Sequence, residues 1–346
     1  MSEVIQSLSI CCPSGRGCER QCINHCKTCT ARQHTNPYEN KFGGSHVECF
    51  EYWQDVIKRM KYAQEKGCTT VMLTGSNEPQ QNRRWLEGLY LAMQTLDHPF
   101  LNIEIQTTGA FLDRDYLEFL KMFGVTTVAL STFNIESNRI NREIEESADK
   151  NLNIERLCKD ITDLGMNLRI CLNVTDYMFT DRQKTRLDKT ILIQKKHNLL
   201  GEDVEISSGK SNETRTLVTI FIDDILNRCA ELGASQVTFR KMWSAEGTPE
   251  AKWIEENTFY SSTVLTLINK IVPHKGKLIN VLPYGNARYD YKGFSIVVDT
   301  DSMGKKNVGL GSTMDKIPNV ETLKYYIIRE NGKMYSSWDS SASLVF

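Results

Sequence analysis

Short apolar runs alternate with longer stretches of helical periodicity along the first three-quarters of this chain. The first run, Val4–Ile10, predicts a strand. It feeds a Cys- and Gly-rich stretch, Cys11 to about Ser45, too irregular for a core element. A helix is predicted over Val47–Lys66, ended by Gly67. Further strands are expected at Thr69–Thr74, Leu101–Thr107, Val125–Ser131, Leu168–Val174 and Gln236–Arg240. Between and after them come helical segments at Arg83–Leu96, Asp113–Phe123, Glu136–Leu164, Thr216–Leu232 and Pro249–Lys270.

Six strands, each followed by a helix, read as consecutive βα units around a parallel sheet, an α/β fold. A flat doubly wound sheet buries both faces, so its strands are almost wholly apolar. Three strands here alternate instead. Leu168, Ile170 and Leu172 oppose Arg169, Cys171 and Asn173; Ile103 and Ile105 oppose Asn102, Glu104 and Gln106; Val237 and Phe239 oppose Gln236, Thr238 and Arg240. The apolar faces meet the helices, which leaves the polar faces to line a cavity. A curved sheet with a wet concave side meets that demand.

Two segments fall outside the repeat. Thr180–Arg215 reads as an insertion, with Gly201–Asn212 as a loop. From about Pro273 the helical period is lost, and short strands are expected at Lys277–Leu282 and Phe294–Val298, with a hairpin Lys324–Arg329/Lys333–Ser337 turned at Asn331-Gly332. The division expected is 1–272 for the βα array, with a loop at 11–45 and an insertion at 180–215, and 273–346 for a small β-rich C-terminal appendage.

Charge narrows the picture little. A formal net charge of −1 gives no global basic field to attract nucleic acid or an anionic membrane. Locally Arg182, Lys184, Arg186, Lys189, Lys195 and Lys196 outnumber Asp181 and Asp188, which suits phosphate or a solvated helix face. The N-terminal run is broken by Gln6, Ser7 and Ser9, so neither a secretion signal nor a membrane span is read, and a cytoplasmic location is the expectation.

Cysteine changes the picture more. Six of the eleven cysteines lie between Cys11 and Cys29. Within that stretch Cys22-Ile-Asn-His-Cys26-Lys-Thr-Cys29 has the spacing i, i+4, i+7. Soft thiolates suit iron–sulfur clusters or zinc. Three thiolates in one loop can ligate three corners of a cubane and leave one iron open for catalysis. A structural zinc is the alternative, held by a set drawn from Cys11, Cys12, Cys18, Cys22, His25, Cys26, Cys29 and His34, which would make the chain a zinc-stabilised binding module.

A CxxxCxxC triad just after the first strand of a βα array resembles the radical S-adenosylmethionine (SAM) superfamily, over about residues 4–270. The resemblance implies a partial (β/α)6 barrel whose lumen is the active site. It implies a [4Fe-4S] cluster on Cys22, Cys26 and Cys29, with SAM chelating the open iron. One electron, from an external flavodoxin- or ferredoxin-like donor, then cleaves SAM to a 5′-deoxyadenosyl radical that abstracts hydrogen from substrate.

Further positions are assigned by the same resemblance. Gly75 and Glu78, in Thr74-Gly75-Ser76-Asn77-Glu78-Pro79, match the family's Gly-Gly-Glu-Pro with one residue inserted, and hold the SAM amino group. Thr108 approaches SAM or substrate, Ser131 the methionine moiety, Asn173 the ribose hydroxyls, and Arg240 a carboxylate. Cys171 is a candidate hydrogen donor to a product radical. Thr28 stands where many members carry an aromatic residue before the third cysteine, so adenine packing falls to other residues, Tyr38 or Phe42 among them. Glu104 and Arg169 face the same lumen, to bind substrate or each other. The substrate is not written in these motifs; a nucleoside or a base within nucleic acid is the first expectation, from the tyrosines and basic residues of the insertion and the C-terminal segment.

Overall fold

The computed structural model describes residues 2–13, 22–33, 49–75, 77–147, 149–187, 208–281, 287–300, 306–307, 320–338 and 341–346. Six strands run in sequence order: β1 (Ser2–Cys11), β2 (Thr70–Thr74), β3 (Asn102–Thr107), β4 (Thr127–Thr132), β5 (Asn167–Val174) and β6 (Gln236–Lys241). Each is hydrogen-bonded in parallel to the next. The helices between them are α1 (Phe50–Glu65), α2 (Arg83–Met93), α3 (Arg114–Phe123), α4 (Asn138–Glu145), α5 (Ile154–Asp163) and α6 (Ser208–Glu231). α7 (Pro249–Glu256) and α8 (Phe259–Lys275) follow β6. The fold is a partial (β/α)6 barrel, an open α/β sheet carrying its helices on one face.

The register shows why the strands alternate. Leu8 and Ile10, Val71 and Leu73, Ile103 and Ile105, Val128 and Leu130, Leu168, Ile170 and Leu172, and Val237 and Phe239 all belong to the buried core that the helices complete. Their neighbours turn to the other face. Ser9 pairs with Met72, Met72 with Glu104, Gln106 with Ala129, Ser131 with Cys171, Cys171 with Thr238, and Asn173 with Arg240. Side chains alternate across a strand, so these residues form one stripe, mostly polar and interrupted by Met72 and Ala129. The sequence marked it on three strands; the sheet extends it across six.

Several boundaries differ from expectation for local reasons. The helical region predicted at Glu136–Leu164 is two helices. Glu146 takes a left-handed conformation (φ 45°) after α4, and Asn153 caps the start of α5 by accepting from Arg156 N. The helix predicted at Pro249–Lys270 likewise divides at Asn257-Thr258. The second piece continues to Lys275 with Pro273 inside it. Residues from Ser208 are helical in α6, where a loop was expected up to Asn212; 188–207 of the expected insertion lie outside the described residues.

The C-terminal strands are β7 (Lys277–Val281), β8 (Ala287–Tyr291), β9 (Phe294–Asp299), β10 (Lys306–Asn307), β11 (Val320–Ile328) and β12 (Met334–Tyr335). β8 was not foreseen. They lengthen the same sheet at both edges: β11 pairs with β1 and β9 with β6, both in parallel. The hairpin of β11 and β12 forms as read, turning at Asn331-Gly332. Gly332 has φ 74°, and a Cβ there would lie 3.0 Å from the Tyr52 ring, so both conformation and space call for glycine. No helix among the described residues is long and apolar enough to cross a membrane.

Candidate active site

The Cys22–Gln33 segment lies over the C-terminal ends of the strands, where three other elements hold it. Ile23 N donates to Gln81 Oε1 (3.0 Å), beyond β2. Lys27 N donates to Ile144 O (2.9 Å), at the end of α4. Gln33 joins the segment to the loop between β6 and α7: its Nε2 donates to Trp243 O (3.3 Å), and its Oε1 accepts from Ala245 N (2.9 Å). Arg32 adds an ion pair to Glu250 (2.9 Å) and a hydrogen bond to Cys26 O (2.5 Å). The cysteine loop is thus braced against the second, fourth and sixth βα connections of the chain.

Glu78 is the hub of the inner wall. Its carboxylate accepts from Thr107 Oγ1 (2.7 Å), Thr108 N (3.0 Å) and Asn24 Nδ2 (3.2 Å). Asn24 Nδ2 also donates to Thr108 Oγ1 (2.8 Å). Glu78 and Asn24 are 6% and 4% exposed, so these charge-assisted bonds replace water in a desolvated setting. Glu78 and Thr108, both expected at SAM, therefore meet each other and the cysteine loop. Gly75 has φ 133°, and a Cβ on it would lie 3.0 Å from Cys11 Cα and Cβ. Close packing of the ends of β1 and β2 explains that glycine.

The thiols of Cys22 and Cys26 are perturbed. Burial pushes Cys22 up to about 11, with the Glu78 carboxylate adding to the rise, while the backbone amides of Asn24 and Glu78 oppose it. Burial raises Cys26 too, followed by Glu145, Cys29 and Cys22. The triad thiols are therefore near enough to act on one another. Among the described residues, no three His, Cys, Asp or Glu side chains converge as a ready-made single-ion site.

A [4Fe-4S] cluster fits the donor chemistry of this loop. Three thiols share it, none in a disulfide. Near it are buried acceptors without a hydrogen-bond partner among the described residues: Asn24 Oδ1 and both carboxylate oxygens of Glu145. Buried polar atoms left unpaired are costly. Such atoms beside a thiol triad mark a place built to receive something. Cys11 and Cys12, by contrast, are fully buried with thiols raised by that burial, so they are core residues. Cys18, His34, Tyr38, Phe42 and Ser76 lie outside the described residues.

Deeper in the lumen the charges of the stripe are paired, although Arg169 Nε and Arg240 Nε have no hydrogen-bond partner among the described residues. Arg169 on β5 and Glu104 on β3 form an ion pair across the small Ala129 of β4. Gln106 Nε2 donates to Glu104 Oε1 (2.9 Å). Cys171 is 1% exposed. Ser131 sits half-buried beside it in the sheet. Asn173, buried, neighbours Arg240 in register, and Arg240 faces Asp299 of β9 at 3.9 Å. The arginine expected to clamp a carboxylate already has one within the protein.

Sequence reasoning missed Asn24, Gln33, Glu145, Asp299 and Asp176. Asp176 follows β5 and accepts from Phe259 N, Tyr260 N and Ser261 N, capping α8 from a distance. None of these residues carries a local motif: Asn24, Gln33, Asp299 and Asp176 act through partners remote in sequence, and Glu145 is marked only by its burial.

No protein-family profile matches the chain, and no curated protein matches it in sequence. Similar folds are found among solved structures. SuiB of Streptococcus suis, bound to S-adenosylmethionine, aligns with a TM-score of 0.52 at 13% identity, over 97% of this chain and 60% of its own. The peptide-bound, AdoMet-bound anSMEcpe gives 0.44 at 13% identity over 78% and 60%, and methylornithine synthase (PylB) 0.41 at 14% over 78% and 64%. At such identities SuiB establishes a shared fold, to which the other two add nothing. This chain spans about three-fifths of the length of SuiB.

Proposed function

We propose that this chain is a radical SAM enzyme, with Cys22, Cys26 and Cys29 holding a [4Fe-4S] cluster. The observation that carries the reading is the position of the cysteine loop. It lies over the C-terminal ends of six parallel strands, tied to Glu78 and Thr108 on one side and to the β6–α7 loop on the other. Ligands in open α/β sheets bind at that end of the strands. SAM in the similarly folded SuiB supports the reading. When bound, the cluster supplies one electron that cleaves a carbon–sulfur bond of SAM and yields a 5′-deoxyadenosyl radical.

The chain's own part is positioning and exclusion of water. Glu78, Thr107, Thr108 and Asn24 fix the inner side of the loop, and Gln33 and Arg32 its outer side. The Glu104–Arg169 pair fills the deeper lumen without exposing free charge. Asn173, Ser131 and Arg240 line the stripe between loop and ion pair, facing SAM and substrate. The electron comes from an external flavodoxin- or ferredoxin-like donor. A nucleoside, or a base within nucleic acid, is the substrate class placed first; salt-dependent binding to DNA and RNA checks it.

The test is anaerobic reconstitution with iron and sulfide of the wild type and of a Cys22→Ala/Cys26→Ala/Cys29→Ala variant. The wild type is expected to turn brown and, with SAM and dithionite, to release 5′-deoxyadenosine; the variant does neither. A colourless wild type holding stoichiometric zinc would sink the proposal and favour the zinc-stabilised module.

A further inference from the structure

The stripe does not stop at β6. β9 continues the sheet in parallel, and β8 follows β9 in antiparallel order. On β8, Tyr291 belongs to the core and Tyr289 pairs with the buried Ile296, so both tyrosines face the helices. Side-chain alternation then turns Arg288 to the lumen. The register agrees: Arg288 pairs with Val297, and Val297 with Thr238 of the stripe. Asp299, two residues beyond Val297 on the same face, pairs with Arg240. Arg240 and Arg288 therefore share one face, on the two strands that flank β9.

Neither arginine is satisfied by the protein. The Nε of each is buried and has no hydrogen-bond partner among the described residues. Arg240 approaches Asp299 only to 3.9 Å, too long for a hydrogen bond. Arg288 forms no ion pair with any described residue. Asp299 thus offsets one guanidinium, not two. Asp290, also on the lumen face, is exposed and accepts from Gly293 N in the turn before β9. Both arginines are half-buried, so a ligand can reach their heads. A guanidinium only donates, and its planar fork matches two oxygens of a carboxylate or a phosphate. Buried N–H donors left without acceptors are costly, and such an anion supplies what they lack. The place is distinct from the Glu78 hub. That hub belongs to the ends of β2 and β3, and β8 lies five places beyond β3 in the sheet.

We propose that Arg288 and Arg240 bind an oxyanion of the substrate, a carboxylate or a phosphate, apart from SAM. The inference rests on the radical SAM reading and adds the charge of the substrate to it. Arg288 supplies the fork, and Arg240 a second cation beyond Asp299. Holding one charged end of the substrate at β8 and β6 fixes which part of it turns toward the cysteine loop. A phosphate comes with a nucleotide-type substrate, a carboxylate with an organic acid.

Equilibrium dialysis of the full chain, without cluster, against inorganic phosphate and against succinate tests the site. Wild type is expected to bind one of them more tightly, and which one it is separates the two sources. Arg288→Gln is expected to bind that anion about 10-fold more weakly or worse, as for loss of a charge-assisted hydrogen bond. Arg288→Lys keeps the charge without the fork and is expected to recover little of the loss. Arg288→Gln is also expected to melt within about 2 °C of wild type, because no internal partner is lost. After anaerobic reconstitution, saturating SAM is expected to leave the anion bound. Failure of wild type to bind either anion, undiminished binding by Arg288→Gln, or full binding by Arg288→Lys overturns the inference. So does misfolding of Arg288→Gln, which gives the arginine an internal role. Displacement of the anion by SAM overturns it too, since the arginines then serve the carboxylate of SAM. A wild type that takes up neither cluster nor SAM overturns the radical SAM reading, whereas the dialysis without cluster still decides the anion site.

Discussion

The polar residues of the lumen divide into those that satisfy each other and those left open. Arg169 and Glu104 belong to the first kind, with side chains 23% and 8% exposed. Removing one member of such a pair leaves an uncompensated buried charge, whereas replacing both with apolar groups is close to neutral. Glu104→Ala is therefore expected to cost about 3–5 kcal/mol in urea unfolding, and Glu104→Leu combined with Arg169→Met much less. Equal losses from both would mean the pair has another partner. The alternation of Arg169, Cys171 and Asn173 made this face legible in sequence. Which of its charges would pair was not, because Glu104 and Arg169 meet across β4 from strands 65 residues apart. A second residue-scale consequence concerns Cys22. Its thiol, held up at about 11, is protonated at neutral pH, and only thiolates bind iron. The sign follows: loading with iron and sulfide is expected to speed up between about pH 7 and 9 and to release protons. A loading rate that falls over that range would contradict the assigned ligand.

At the level of elements, the sheet was the legible part. Short apolar runs placed the six parallel strands, with boundaries shifted by a few residues, and period-two alternation marked the polar face on three of them, because each strand's apolar face must meet a helix. Helix ends were less legible. The break after α4 depends on Glu146 in a left-handed conformation, which no breaker residue announces, and the start of α8 depends on Asp176 from another connection. That long-range cap is testable. Asp176→Ala frees three backbone N–H groups at the start of α8 and is expected to cost about 2 kcal/mol of stability, at the upper end for a lost cap. Asp176→Asn, which keeps one acceptor oxygen, is expected to recover part of it. No change in the denaturation midpoint of Asp176→Ala would show that water serves those groups equally well.

For the whole molecule, the triad tells less than its surroundings. The spacing of Cys22, Cys26 and Cys29 could be read directly, but the bracing of their loop could not. Gln33 reaches the β6–α7 loop more than two hundred positions away, and Asn24 reaches Glu78 and Thr108 across the mouth of the sheet. The C-terminal strands were legible as strands but not as partners. They extend the sheet beside β1 and β6, so that Asp299 joins the polar stripe opposite Arg240. Loop and hub stand at the C-terminal end of the stripe, and the central claim is that a cluster with an open iron is held there. Electron paramagnetic resonance of the anaerobically reconstituted, dithionite-reduced protein tests that most directly. The account predicts a [4Fe-4S]+ signal whose shape changes when SAM is added, and no such signal when Cys22, Cys26 and Cys29 are replaced by alanine. A signal that SAM leaves untouched, or one that survives loss of the three cysteines, would contradict it.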